Sequence, residues 1–410
     1  MSGIEEQPAD VERYLEELAQ HGRHPGGGWF RPVYSPDWQA AQRQILDWFD
    51  RIGLESRVDA VGTVYGRLAG SEGGDCIVTG SHFDTVLHGG KFDGAAGVVA
   101  AMAAVHTLKE RFGAPRRTLE VVGLCEEEGS RYHANMWGSR AITGRLFPDD
   151  FERLVDSDGV RIGDAMRAVG LDPDRIGEAQ RDDVAAFLEL HVEQGHILQA
   201  EGIQIGVVDV VTGITTLKVT LRGRSDHAGT TPMTMRRDSF LGAAAMTLAL
   251  TDVALELGRP AVLTVGSIAV KPNVRNIVAG ETVFLIDARH SVPARKEELV
   301  SRAIAICQEI GARRDLEVEI EQLTDKTPAP MDSDLVRVLE DSAAACGYSY
   351  QRMVSGAGHD AQTFSYRFPA VMLFVPSKDG RSHSPLEYTS LEDLTRGVSV
   401  LATALHQLAY

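Results

Sequence analysis

Acidic and imidazole side chains recur in this sequence directly after apolar runs, where a buried strand would meet solvent. His82 follows the run from Cys76 to Thr79, and Asp93 lies beyond it in a glycine-rich turn. A neutral imidazole suits a borderline divalent metal ion, and a carboxylate with two oxygens can bridge a pair of ions. We therefore interpret His82 and Asp93 as half of a two-metal site. The same segment is also typical of hydrogen-bonded turn residues between glycines, so the rest of the chain has to decide between the two interpretations.

Three further apolar runs lead into acid or imidazole in the same way. TLEVVGLC leads into the glutamates 126–128, AFLEL into His191, and AVMLFV into the loop of His383. In open α/β sheets, ligands collect outside the carboxyl ends of the strands, because loops there meet a rigid scaffold. Four such strand ends predict two divalent metal ions, and Zn, Mn, Co and Ni suit this donor set about equally. The predicted ligands are His82 and His191 for one ion, Glu128 and His383 for the other, and Asp93 for both.

The glutamates 126–128 offer two different roles, because adjacent side chains point in different directions. We assign Glu128 as a metal ligand and Glu127 as the general base. A base beside two cations need only accept a proton from water activated by the two metal ions, whose pKa falls to about 7. A solvated acidic turn is the alternative, and the position of these residues after a buried strand argues against it.

A second set of polar residues lies further along the chain. Arg289 follows the strand-like run TVFLIDA and offers a planar fork for a substrate carboxylate. Asn276 would add a hydrogen bond, and His227 would stabilise the oxyanion that develops during hydrolysis. Surface turn residues and a solvated ion pair explain the same three residues equally well from the sequence alone.

The elements that must position these residues alternate between strand and helix. This pattern predicts an α/β fold with a mostly parallel sheet and crossover helices. The first elements of the pattern are strand 76–80, helix 95–111, strand 118–125, helix 161–169 and strand 185–191. The pattern resumes near the end of the sequence with helix 333–346, strand 369–375 and helix 390–408.

Between these two parts, the periodicity predicts a self-contained unit of the ferredoxin type with the order βαββαβ. Its elements are strand 214–222, helix 237–257, strands 261–270 and 281–289, helix 295–312 and strand 316–323. We therefore divide the chain into a catalytic domain formed by residues 1–212 and 329–410 and an inserted domain formed by residues 213–328.

Composition limits the partners and the compartment. The 58 acidic and 41 basic side chains give a formal net charge of −17, which argues against nucleic acid and anionic membrane surfaces as partners. No run of 18 apolar residues occurs and the first residues are charged, so we expect neither a membrane span nor a secretion signal. The four cysteines are scattered without CxxC spacing, and we interpret them as reduced residues, which favours the cytoplasm.

The motifs around these residues resemble those of the hydantoinase/carbamoylase family of binuclear metal amidohydrolases, which is related to the zinc aminoacylases and carboxypeptidases. They cover essentially the whole chain: GSHFDTV, GGKFDG, EEEGSR, LELHVEQG, HAGTTPM, SGAGHDA and SHSPLEYT. The resemblance implies a metallopeptidase-like catalytic domain with the same five metal ligands and the same base. It further implies a homodimer built through the inserted lid domain, with His227 completing the site of the other subunit. The implied substrate contacts are Gln194, His227, Asn276 and Arg289.

Members of this family cleave the ureido C–N bond of allantoate, N-carbamoyl-L-amino acids or 3-ureidopropionate. The segment EGSRYHANMWG, with YSPDW and KPN, looks most similar to the allantoate amidohydrolases, whereas Ala279 stands where proline is expected. The leading hypothesis is therefore hydrolysis of the carbamoyl amide of allantoate, which releases ammonia and carbon dioxide. Hydrolysis of the other two ureido acids is the alternative within the family. Outside it, a dipeptidase and a metal-dependent binding protein without turnover are the alternatives.

Overall fold

The computed structural model describes residues 3–4, 8–147 and 149–410, and the chain divides into two compact units. The first unit contains Met1–Asp209, Pro330–Met353 and Gly358–Tyr410, and the second contains Val210–Ala329 and Val354–Ala357. Residues 354–357 therefore lie with the second unit, although the sequence assigns them to the catalytic domain. They are held there because the Thr212 N–H donates to the Ser355 carbonyl at 2.9 Å.

The described residues form thirteen β-strands, twelve α-helices and three short 3₁₀ helices. The strands are β1 (Glu55–Val58), β2 (Val64–Leu68), β3 (Cys76–His82), β4 (Leu119–Leu124), β5 (Val184–Val192), β6 (Ile205–Val211), β7 (Gly213–Arg222), β8 (Val262–Lys271), β9 (Glu281–His290), β10 (Glu317–Lys326), β11 (Ala329–Pro330), β12 (Tyr350–Ser355) and β13 (Ala370–Val375). The α-helices are α1 (Pro8–Leu18), α2 (Pro36–Arg51), α3 (Ala95–Phe112), α4 (Trp137–Ile142), α5 (Asp150–Arg153), α6 (Ile162–Ala168), α7 (Ile197–Glu201), α8 (Ser239–Leu257), α9 (Pro293–Arg313), α10 (Ser333–Ala345), α11 (Asp360–Phe364) and α12 (Leu391–Ala409). The 3₁₀ helices are Pro173–Ala179, Met233–Met235 and Lys378–Gly380.

The larger sheet has the strand order β1-β2-β4-β3-β5-β13-β6-β11, and β12 pairs with β6. Its centre is parallel, because β4, β3, β5 and β13 are neighbours that run in the same direction. Antiparallel pairs flank this centre, with β2 on β4 at one side and β6 on β13 at the other. The predicted α/β fold with a mainly parallel central sheet is confirmed.

The central strands are apolar because they are covered. The strands β3, β4 and β13 are buried along their whole lengths, as is usual for parallel strands with helices against them. Helix α3 packs against β3 and β5, and α12 packs against β5 and β13. The four strands therefore form a rigid frame whose carboxyl ends lie along one edge of the sheet.

The second unit is built on a four-stranded antiparallel sheet with the order β10-β7-β9-β8. Helices α8 and α9 pack on this sheet, so the chain order of the unit is βαββαβ. Every second residue of β9 is buried, because only one face of the sheet contacts the helices. The resulting core contains Leu217, Val219, Met246, Phe284 and Cys307.

Helix α8 is apolar on more than one face. It is long and apolar enough, by length and composition, to cross a membrane. Its buried residues, among them Ala243, Met246 and Leu250, pack in the core of the second unit, which accounts for part of this apolar character. Leu248 and Leu255 are 72% and 74% exposed, so the opposite face of α8 presents leucines to solvent.

Two features of the sheet differ from the sequence analysis. Strand β3 continues past Gly80 to His82, because Ser81 and His82 pair with Gly123 and Leu124 of β4. Strands β1, β6, β11 and β12 were not predicted. The residues of β1 are mostly exposed, and only Thr212 separates β6 from β7, which begins at Gly213.

Candidate metal centre

The edge formed by the parallel strands collects the predicted ligands of the first unit. His82 is the last residue of β3, and His191 precedes the last residue of β5. Glu127 and Glu128 follow β4, and His383 lies in the loop after β13. Because β4, β3, β5 and β13 are neighbours in that order, these side chains converge at one edge.

Asp93 lies at the middle of the cluster, and its two oxygens face different groups. Oδ1 is 3.4 Å from Nε2 of His82 and 3.2 Å from Nε2 of His191. Oδ2 is 3.4 Å from Nε2 of His383, and the same nitrogen is 3.3 Å from Oε1 of Glu128. The carboxylate of Asp93 thus joins two sets of donor atoms, which is the arrangement expected for a ligand shared between two ions.

The protonation of two histidines tests whether this cluster fits cations. Nδ1 of His82 is 3.2 Å from the Asp84 carbonyl oxygen, and Nδ1 of His191 is 2.9 Å from the Val192 carbonyl oxygen. A carbonyl only accepts, so both Nδ1 atoms carry a proton, and both Nε2 atoms are left to bind either a proton shared with Asp93 or a cation. Each Nε2 lies 3.2–3.4 Å from an oxygen of Asp93, and a metal ion bound there would take the place of the proton between them.

The spacing of the donor atoms also fits metal coordination. Ligand atoms around a tetrahedral zinc ion, with bonds of about 2.0 Å, are separated by about 3.3 Å. The separations from Asp93 to the three histidines are 3.2–3.4 Å. The residues present therefore fit two metal ions that share Asp93.

The titration of the cluster reflects burial and close charge. Burial by itself would raise the pKa of Asp93, but hydrogen bonds with His191, His383 and His82 outweigh it and hold the pKa well below its ordinary value. Burial, with the charge of Asp93, raises the pKa of Glu128 to about 7. The hydrogen bond to Asp93 raises the pKa of His383 to about 9. Metal ions would displace protons from this cluster when they bind.

Glu127 is buried beside the cluster. Its Oε2 is 3.8 Å from Nε2 of His82. Burial, partly opposed by His82, raises the pKa of Glu127 well above its ordinary value. A carboxyl group in such surroundings binds a proton more strongly than an exposed one.

Asp84 fixes the backbone of both glutamates, and this role was not predicted from the sequence. Its Oδ1 accepts the N–H of Glu127 at 3.1 Å, and its Oδ2 accepts the N–H of Glu128 at 3.2 Å. The only sequence signal is its position two residues after His82. That signal identifies the residue but not the backbone groups that it meets.

Gly94 is required between Asp93 and helix α3. Its φ is +63°, and a Cβ atom there would lie 2.3 Å from Cε1 of His82. Helix α3 begins at the next residue, and the partial positive charge at a helix N-terminus favours the negative charge of Asp93. The glycine therefore lets the imidazole of His82 approach the start of the helix.

Gln194 contacts the cluster, although the resemblance assigns it to substrate. Its Nε2 donates to Oδ2 of Asp93 at 2.8 Å and to Oγ of Ser382 at 3.3 Å. Other residues that contact the cluster were not assigned a role in the site from the sequence. Ser382 and Glu387 form hydrogen bonds with Asp93, and Glu189 and His359 lie beside His191.

The metal cluster lies within the part of the chain that matches a protein-family model. The model of peptidase family M20/M25/M40 matches residues 78–407, which include all of the predicted ligands. The chain belongs to this family. Enzymes of the M20/M25/M40 family depend on two metal ions, and the groups described above fit such a pair.

Relatives within this M20/M25/M40 family match nearly the whole chain. The allantoate amidohydrolase of Escherichia coli strain K12 is 42% identical over 98% of both chains. The allantoate amidohydrolase of Bacillus subtilis strain 168 is 43% identical over 97% of both chains. An N-carbamoyl-L-amino-acid amidohydrolase of Paenarthrobacter aurescens is 36% identical over 98% of this chain and 99% of its own.

A solved structure agrees with these relatives. The crystal structure of an amidase of the hydantoinase/carbamoylase family from Burkholderia multivorans has a TM-score of 0.92 and 33% identity, and the match covers 99% of this chain and 98% of that one. The resemblance found in the sequence is thus confirmed. The predicted enzyme class is confirmed too: this M20/M25/M40 member is a hydrolase of C–N bonds other than peptide bonds.

The second unit holds the other predicted substrate residues of this M20/M25/M40 member. His227 and Asn276 lie on adjacent segments, because the Ala228 N–H donates to the Asn276 carbonyl at 2.9 Å. Nδ1 of His227 accepts the N–H groups of Gly229 and Thr230 at 3.1 and 3.2 Å, which leaves the proton on Nε2.

Arg289 lies on β9, and its guanidinium is already engaged within the second unit. Nε and Nη2 donate to the two carboxylate oxygens of Asp287 at 2.7 and 3.0 Å. Nη1 donates to the Gly356 carbonyl at 2.7 Å. A guanidinium has five N–H donors, so two of them are left for a ligand after these three bonds.

Proposed function

We propose that the protein hydrolyses the ureido C–N bond of allantoate and releases ammonia and carbon dioxide. The observation that carries the proposal is the identity of 42% and 43% with two allantoate amidohydrolases, over nearly the full length of each. The N-carbamoyl-L-amino-acid amidohydrolase is less similar, at 36%. Hydrolysis of N-carbamoyl-L-amino acids is therefore the second candidate.

The proposed metal ligands are His82, Asp93, Glu128, His191 and His383. Two ions at these residues would polarise the carbamoyl group and acidify water. Glu127 is proposed as the general base: it takes a proton from the attacking water and passes it to the nitrogen that leaves as ammonia. Its burial beside His82 supports this role, because it excludes bulk water from the carboxyl group.

Some of the proposed contacts would bind the reacting end of the substrate, and others would bind its carboxylate. Arg289 would hold the carboxylate through its two remaining N–H donors, with Asn276 beside it. His227 would donate from Nε2 to the oxyanion, and the tautomer fixed by Gly229 and Thr230 supports this. Gln194 would act next to Asp93, where its amide already lies.

We also propose a homodimer formed through the second unit, which would act as lid and dimerisation domain. The two edge strands of its sheet differ in charge, and this difference supports the proposal. Residues 262–270 of the edge strand β8 carry no charge, whereas β10 at the other edge exposes Glu317, Glu319 and Glu321. Charged edges resist pairing, and uncharged edges permit it. The exposed leucines of α8 add an apolar surface on the same unit.

The dimer proposal predicts that Leu248→Glu yields monomers, because a carboxylate would be buried in the contact. Sedimentation velocity of the purified protein measures this. Leu323→Glu is the matched control, since Leu323 is 45% exposed on the charged edge strand β10. Dimers of the Leu248 variant, or monomers of wild type, would contradict the proposed interface.

The proposed metal ions and compartment rest on the chemistry of the side chains. The His and carboxylate donors suit Zn, Mn, Co or Ni, so activity after loading with each ion would identify the native one. The four cysteines are unpaired, which supports the proposed cytoplasmic location.

The function is tested by ammonia release from allantoate, N-carbamoyl-L-amino acids and 3-ureidopropionate, and by amino-acid release from a dipeptide, with each metal ion. We expect kcat/KM for allantoate to exceed the others by about tenfold or more, as differences of one polar group allow. Glu127→Gln is the control for contaminating activity. A preference for an N-carbamoyl-L-amino acid would replace the proposed substrate, and tight binding without ammonia release would contradict an enzyme.

A further inference from the structure

Glu387 lies four residues after His383 in the same loop and is buried, with 6% of its surface exposed. Its Oε1 accepts the backbone N–H groups of Phe92 and Asp93 at 2.9 and 3.0 Å. A carboxylate from the loop after β13 therefore holds the backbone immediately before helix α3. None of the roles assigned above explains this contact.

The side chain of Asp93 is tied to the same glutamate. Oγ of Ser382 is 2.9 Å from Oε2 of Glu387 and 2.8 Å from Oδ2 of Asp93. Gln194 donates to the same Oδ2 at 2.8 Å. Glu387 thus reaches both the backbone and the carboxylate of Asp93, and Ser382 connects the two acids.

The sequence provides the room for this contact at Gly90. A Cβ atom at this position would lie 2.1 Å from Oε1 and 2.3 Å from Cδ of Glu387. Any other residue would push the glutamate away from the N–H groups that it accepts. The glycine in the GGK segment is therefore explained by the approach of Glu387.

We propose that Glu387 is a positioning residue that fixes the orientation in which Asp93 is shared between the two metal ions. It acts through the backbone of residues 92–93 and through the hydroxyl of Ser382. The proposal rests on the proposed two-metal site, and it is independent of which ureido acid is the substrate. Partners of metal ligands commonly contribute 10- to 100-fold in metal affinity.

The test measures metal affinity, without substrate, on four full-length variants. Each is stripped with a chelator and titrated with Zn²⁺ in a calorimeter or against a chromophoric chelator. We expect Glu387→Ala to weaken zinc binding by about 10- to 100-fold, because Asp93 loses both restraints. Glu392→Ala is the matched control, since this glutamate is 74% exposed on α12.

Glu387→Gln separates positioning from a merely structural role. Its amide oxygen still accepts both backbone N–H groups, and its amide nitrogen donates to Ser382, so we expect affinity close to wild type. Ser382→Ala keeps the backbone contact and breaks only the side-chain link, and a smaller loss of affinity is expected. This variant also serves if Glu387→Ala does not fold.

Unchanged zinc affinity in Glu387→Ala, or in Ser382→Ala if the former does not fold, would overturn the proposal. A loss in Glu387→Gln as large as in Glu387→Ala would overturn it as well. A wild-type protein that binds two zinc ions but hydrolyses no ureido acid would instead contradict the proposed substrate and leave the role of Glu387 intact.

Discussion

The two groups of predicted site residues differ in burial and in the use of their hydrogen-bonding atoms. Around Asp93, histidine ring nitrogens and carboxylate oxygens face one another in a mostly buried cluster, while backbone carbonyls hold Nδ1 of His82 and His191. In the second unit, His227 is exposed and Arg289 is engaged by Asp287. The first arrangement suits ions that stay bound, and the second suits a ligand that enters and leaves.

Among the substitutions considered, Glu127→Gln in the buried cluster should have the largest effect on turnover. We expect turnover to fall by roughly 10²- to 10⁴-fold with both metal ions retained, because only the proton acceptor is lost. Metal analysis alongside the rate measurement checks this. Glu128→Gln is the contrasting variant and should lose metal. If Glu127→Gln lost a metal ion instead, the roles of the two glutamates would be reversed.

For the exposed His227 of the second unit, the proposed dimer predicts complementation between subunits. His227→Ala and Glu127→Ala homodimers should both be nearly inactive, since loss of one oxyanion donor costs about 10²- to 10³-fold. Unfolding and refolding equal amounts together should restore about a quarter of wild-type activity, because half the dimers would have one intact site of two. Heterodimers confirmed by mass spectrometry but without activity would mean that His227 acts within its own chain or not at all.

Arg289→Lys should have the smallest effect of the three. The ammonium keeps the charge but not the planar pair of donors, so we expect KM to rise about tenfold, the equivalent of one charge-assisted hydrogen bond. Steady-state kinetics on allantoate measure it. Arg295→Lys is the matched control, since this arginine pairs with Glu298 on the surface of α9. The same KM in both variants would mean that Arg289 forms a surface ion pair and does not bind the substrate.

The fold was predictable where the sequence pattern depends on burial. Helix α3 was predicted at 95–111 and ends at Phe112, and the βαββαβ order of the second unit follows from regular periodicity. Strand β12 was missed because its sequence, YQRMVS, alternates weakly and is half exposed. The order of strands in the sheet depends on tertiary contacts that local patterns do not encode.

The residues of the candidate site also differ in whether the sequence predicts them. His82, His191 and His383 could be found because their residue type and their place at strand ends point to metal binding. Asp84 and Glu387 could not, since their contacts are with the backbone of residues that are distant in the sequence or hidden in a turn. An acid that accepts backbone N–H groups has the same sequence signature as a solvated one.

Strand β13 lies between β5 and β6, although it follows all other strands of the described chain. During synthesis, the ribosome therefore releases every other strand while the middle of the larger sheet is still open. The second unit is nearly continuous in sequence, so its sheet can close earlier. Newly made chains would expose the unpaired edges of β5 and β6 until the last segment arrives, and chaperones would have their best access in that interval.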